Sequence, residues 1–154
     1  MKVELLDNTK KKKILEMLER EYGISKLNYL LLQTGKGKYR VYSGGLSRDE
    51  LNMLAKTIHI EIIGAKMCKI EDDKIRMDFD IINTPEIKEQ ITKNIIEIEE
   101  KDVAGWMKGD NLNIKTNSKS SYLIIKNNKD LLGTGQNANV LIKNYIPKER
   151  RVRG

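Results

Sequence analysis

Apolar side chains recur at helical spacing near the start of the chain. Ile14, Leu15, Leu18 and Tyr22 fall at i, i+1, i+4 and i+8 and mark one face of a helix. Asn8 or Thr9 would cap it and Gly23 would end it in the left-handed conformation. Two strand patterns follow, Tyr29 to Gln33 and Tyr39 to Tyr42, joined by the hairpin-length TGKGK. The stretch SGGLSRDELNMLAKT then opens a second helix with a capping box of Ser47 and Glu50, with Leu51 and Leu54 on its inner side. Further strand patterns cover Ile58 to Ile63, Ala65 to Glu71 and Ile75 to Phe79, the last two linked by the turn Asp72-Asp73-Lys74.

Thr84-Pro85 reads as a helix start, because proline costs nothing at the first helical position. A lobe boundary is expected here, with residues 1–83 forming an N-terminal α+β lobe and 84–154 a second unit. In the second, NIIEIEEKDVAGWMKGDNLNI reads as a strand, a short helix from Glu99 to Met107 and a stop at Gly109. Val103, Trp106 and Met107 share one helix face, which makes Trp106 a core residue rather than a base-stacking platform. Strands are predicted at Tyr122 to Lys126, Leu131 to Gln136, Val140 to Asn144 and Ile146 to Val152. Five short strands and one helix imply a small barrel.

Composition removes several classes of chemistry. The chain has 154 residues, 39% apolar, and its longest apolar stretches, such as Tyr29 to Leu32, are far too short to cross a bilayer. No membrane association is expected, and the start MKVELLDNTKKKK has no apolar region of a leader, so a cytoplasmic setting is expected. One cysteine and one histidine exclude an internal disulfide and a Cys/His zinc site. His59, in TIHIEII, falls on the face opposite Ile58, Ile60 and Ile62 and reads as solvated; Cys68 reads as packing. Asp72, Asp73, Asp78 and Asp80 have the chemistry for a divalent ion, but their turn-and-strand spacing fits a solvated edge better. No catalytic residue, metal or cofactor is therefore expected.

The net charge of +7 is unevenly placed. Residues 1–100 carry 18 basic and 18 acidic side chains, whereas residues 101–154 carry 11 and 4, so the whole excess lies in the last third. A polyanion partner is expected for that part. The run Lys10 to Lys13, at a helix N-terminus where the dipole disfavours cations, is either simply solvated or a phosphate contact.

Two features of the last third bear on phosphate. Gly133-Thr134-Gly135 is followed by QNANVLIKNYIPK, which has neither a helical period nor Gly-Lys-Ser/Thr, so it is no nucleotide loop. Glycines inside a strand instead mark a bulge or the close approach of another backbone. In KNYIPKERR, Pro147 cannot donate to a central ladder, and a bend there would present Lys148, Arg150 and Arg151 outward.

Taken together, NIIEIEEKDVAGWMKGDNL, the strand ending in LLGTG, and KNYIPKERR resemble the PUA domain, the RNA-binding module named for pseudouridine synthases and archaeosine transglycosylases. The likeness is to the PUA-like C-terminal region of Sun-type RNA cytosine-5 methyltransferases, and residues 23–83 are compatible with the lobe that precedes it there. The resemblance implies an α+β fold, a small N-terminal α/β lobe followed by a PUA-like β pseudobarrel. It also implies RNA contacts from Lys108, Gly109, Asp110, Gly133, Gly135, Lys143, Asn144, Lys148, Arg150 and Arg151. The chain has no Pro-Cys motif and its one cysteine lies in Met67-Cys68-Lys69, so methyltransferase activity does not carry over. The expectation is a stand-alone binder of structured tRNA or rRNA. The alternative is the RNA-targeting subunit of a split methyltransferase or pseudouridine synthase, working with a catalytic partner protein.

Overall fold

A computed structural model describes residues 1–154 and contains two sheets. The first is an antiparallel meander of β1 (Glu4–Leu5), β2 (Leu30–Gly35), β3 (Lys38–Tyr42), β4 (Ala65–Glu71) and β5 (Lys74–Met77), in that order. Helix α1 (Asn8–Tyr22) lies between β1 and β2, and α2 (Arg48–Thr57) between β3 and β4. Helix α3 (Pro85–Lys88) leads to the second sheet. There β6 (Ile95–Glu97) pairs in parallel with β7 (Tyr122–Asn127), and β7 pairs antiparallel with β8 (Asp130–Asn137), which pairs with β9 (Ile142–Asn144). Helix α4 (Glu100–Lys108) crosses between β6 and β7. No helix is long and apolar enough to cross a membrane.

The local signals explain most boundaries. Asp7, one residue before the expected caps, accepts a hydrogen bond from the Lys10 amide at 2.8 Å and starts α1, which Gly23 ends at φ +85°. The Ser47/Glu50 capping box forms in full, with Glu50 N donating to Ser47 Oγ at 3.2 Å and Ser47 N to Glu50 Oε2 at 2.7 Å. Asp72 and Asp73 both take positive φ, which gives the β4–β5 hairpin a turn matched to the strand twist.

Two expected strands do not form. Residues 58–63 are a loop with Ile58 and Ile62 exposed, and the loop is held by Arg40, which donates to the carbonyls of Ile63 and Gly64 at 2.6 and 2.8 Å. Alternation marks a strand only where a ladder is available to join, and β4 already has a partner on each side. Residues 146–152 likewise form no strand: after buried Ile146, Pro147 opens a 3-10 turn at Lys148–Arg150. Proline's missing N–H ends the ladder at this point.

The main core runs through both sheets. Ile14, Leu18 and Tyr22 of α1 pack with Val41, Met67, Ile75 and Met77 of the first sheet, with Ile87 and Ile91, and with Ile124 and Leu131 of the second. Tyr22 is fully buried and its hydroxyl donates to the Ile75 carbonyl at 2.7 Å. On the opposite face of the first sheet, α2 covers only the β1–β2 side, where Leu51 packs on Leu5 and Leu32. Paired positions on one strand face share a side of the sheet, so Arg40 and Lys66, and the row Lys38, Lys69 and Arg76, lie on that same face beyond the cover of α2.

Candidate nucleic-acid interface

The second lobe closes around α4. Trp106 is buried among Leu123, Ile125 and Ile142, and its indole N–H donates to the Leu132 carbonyl at 2.6 Å. Tryptophan in this position builds the core, as its helix spacing predicts. After α4 the chain passes the free edge of β9, where Leu112 and Ile142 exchange backbone hydrogen bonds at 3.0 and 2.8 Å. The final segment returns to the same place, since the Val152 amide donates to the Met107 carbonyl at 2.9 Å.

These connections bring one group of the expected residues together. Gly109 ends α4 at φ +110°, and the Arg151 side chain lies directly against it, where any β-carbon would be about 3 Å from the guanidinium. Arg151 Nε donates to the Ile146 carbonyl at 3.1 Å, which fixes the side chain while leaving its charge at the rim. Lys108, Asp110, Lys143 and Lys148 are exposed around this point, and the side chains of Lys143 and Lys148 make no ion pair or hydrogen bond. Unpaired lysines beside an anchored arginine suit phosphate oxygens, the lysines as point charges and the arginine as a planar fork.

Four expected residues do other work. Gly133 and Gly135 are buried, and their bare faces point at Phe79 and Ile146, and at Ile142 and Trp106, respectively. Their small size lets side chains of this protein close on the strand. Asn144 is spent internally: its amide donates to the carbonyls of Trp106 and Asp110 at 2.7 and 3.0 Å, and its Oδ1 accepts from the Ile146 amide at 2.9 Å. It is the clip that shapes the rim. Arg150 turns toward the first lobe and pairs with Asp80 at 2.7 Å.

The other candidates from the sequence are dispersed. His59 is exposed and Cys68 is buried, with its thiol pushed far above the ordinary range by that burial. No group of three or more His, Cys, Asp or Glu side chains is placed to hold a metal. Of the lysine run, Lys10 pairs with Glu4 at 2.6 Å and Lys11 donates to the Tyr29 carbonyl at 2.9 Å. One cross-lobe cluster went unnoticed in the sequence. The Arg76 guanidinium stacks 4.7 Å from the Tyr145 ring centroid, and Tyr145 meets Tyr122 edge-on at 5.8 Å. The available signal was the alternation of cations with apolar residues in KYRVY, AKMCKIE and KIRM.

Comparison with known proteins bears on the second lobe and on the fold. Residues 93–152 match the family described as the methyltransferase RsmF PUA domain. Among solved structures, the fold is similar to that of a conserved PUA domain protein from Thermoplasma acidophilum, at a TM-score of 0.54 and 16% identity over 87% of this chain and 78% of that one. No curated protein matches the sequence. Residues 93–152 are therefore similar to the PUA domain of the RsmF methyltransferase kind, a class of domain that generally binds RNA, in an α+β chain where no methyltransferase domain is evident.

Proposed function

We propose that the chain binds structured tRNA or rRNA through the rim built from the end of α4, β9 and the final turn, and that it does so without catalysis of its own, in RNA modification or ribosome biogenesis. The observation that carries this reading is Arg151 anchored over Gly109 within the matched domain, with Lys108, Lys143 and Lys148 exposed around it. The unbalanced charge of residues 101–154 supports it. Phosphate contacts would supply most of the affinity, and helix shape the preference for structured RNA.

The test is fluorescence anisotropy with labelled bulk transfer RNA and a ribosomal RNA hairpin, followed from about 50 to 200 mM salt. Binding should weaken steeply with salt, and Lys143→Ala and Lys148→Ala should each lower the salt slope by about one unit. Binding that ignores salt, or unchanged slopes in both variants, overturns the reading. A targeting subunit of a split RNA-modifying enzyme is a second reading, favoured by Met53, Ile58 and Ile62, which leave apolar surface exposed along the end of α2 and the loop after it. Co-purification of a catalytic protein, lost on Met53→Ser with Ile62→Ser, distinguishes it.

A further inference from the structure

Residues 1–100 are electrically neutral as a whole, yet the fold sorts their charges onto different surfaces. On the face of the first sheet that α2 leaves uncovered, Lys38, Lys69 and Arg76 sit side by side across β3, β4 and β5, with Arg40 opposite Lys66 in the next row. Like charges directly opposite each other destabilise a sheet. The neutralising acids are few. Glu71, two residues further along β4, pairs at 2.9 Å with Lys69, the central cation of the row, and Asp78 is the one carboxylate among the walls of the concavity that these cations line, of about 230 Å³. Arg40 is held by neutral carbonyls, which fix its position and leave its charge uncancelled.

The face continues into the second lobe. Arg76 stacks on Tyr145, whose hydroxyl lies 3.3 Å from Gln136 Oε1, and Gln136 is paired in register with exposed Lys143. Cations and half-buried tyrosine rings thus alternate from the first sheet to β9. A concave surface of one sign focuses its field on a polyanion, and interleaved aromatic rings offer faces to bases.

We propose that the open face of the first sheet is a second RNA-binding surface, over which the sugar–phosphate backbone of an RNA held by the PUA rim continues across Arg76 and Tyr145 onto Lys66 and Lys69. This rests on the reading that the PUA rim binds RNA. A phosphate chain relieves the repulsion that remains between the cross-strand cations, since Glu71 and Asp78 are two carboxylates against the five cations Lys38, Arg40, Lys66, Lys69 and Arg76.

The experiment uses the full chain and labelled bulk transfer RNA, with the doubly substituted Lys66→Gln, Lys69→Gln protein beside Lys143→Gln and the unaltered one. Loss of the two cations should raise Kd roughly tenfold or more near 0.1 M salt and lower the salt slope by about 1.5. The Lys66→Arg, Lys69→Arg protein should bind as the unaltered chain does, which separates charge from folding. If Lys143→Gln weakens binding while Lys66→Gln, Lys69→Gln leaves both Kd and slope unchanged, the second surface is overturned and the PUA reading stands. If Lys66→Gln, Lys69→Gln weakens binding and Lys143→Gln does not, the PUA rim fails and the first sheet is the binding surface. No binding by the unaltered chain overturns both.

Discussion

Asp78 shows how burial and charge compete at a single residue. It lies beside Lys66 and Arg76, which favour its ionised form, yet burial is the stronger influence and pushes its carboxyl above the ordinary aspartate value. A raised carboxyl favours folding when protonated. That contribution is complete below the ordinary value, near 3.8, and is lost as pH rises through the folded one. At neutral pH ionised Asp78 therefore costs stability, while asparagine, neutral throughout, does not. Asp78→Asn should raise the urea midpoint at pH 7, and the difference should vanish in acid below the ordinary value. A lower midpoint for Asp78→Asn at pH 7 contradicts the assignment.

At the scale of elements, the end of α4 joins fold to site. Gly109 takes a conformation that L side chains rarely adopt and also makes room for Arg151. Gly109→Ala should cost about 1–2 kcal/mol in chemical denaturation. By displacing the guanidinium it should also weaken transfer RNA binding more than an equally destabilising core change such as Ile125→Val. Signals of this kind were legible in the sequence because they are local: Gly23 and Gly109 ending helices, the Ser47/Glu50 box, and Trp106 on an apolar helix face. The illegible elements depend on neighbours far along the chain. Residues 58–63 alternate like a strand but find no open edge, and Gly133 and Gly135 resemble an opening to the outside until Phe79, Ile142 and Ile146 are seen to fill it. The basic face was hidden for the same reason. A charge total by sequence interval is blind to which side of a sheet each cation takes, and register sets that side.

At the scale of the whole molecule, the two sheets share a core. Ile124 and Leu131 pack with α1 and the first sheet, Thr134 Oγ1 donates to the Met77 carbonyl at 3.2 Å, and Asn83 reaches the Leu131 carbonyl at 3.1 Å. The lobes should therefore unfold together. Ile124→Ala should cost about 2–5 kcal/mol and leave a single transition by circular dichroism and by Trp106 fluorescence, although Ile124 and Trp106 lie in different clusters. Two separated transitions would show that the lobes are independent. RNA bound at either surface would then stabilise both lobes, because its binding energy is drawn from one folding equilibrium.

The shared core also sets an order of events during synthesis. A growing chain meets water from its N-terminus, and α1 and the first five strands emerge long before Ile124 and Leu131. Until those two residues leave the ribosome, the nascent first lobe has an apolar gap where they belong. The second lobe thus serves as the last piece of its neighbour's interior, and a chain stalled before residue 131 would carry that gap as a mark for chaperones and proteases.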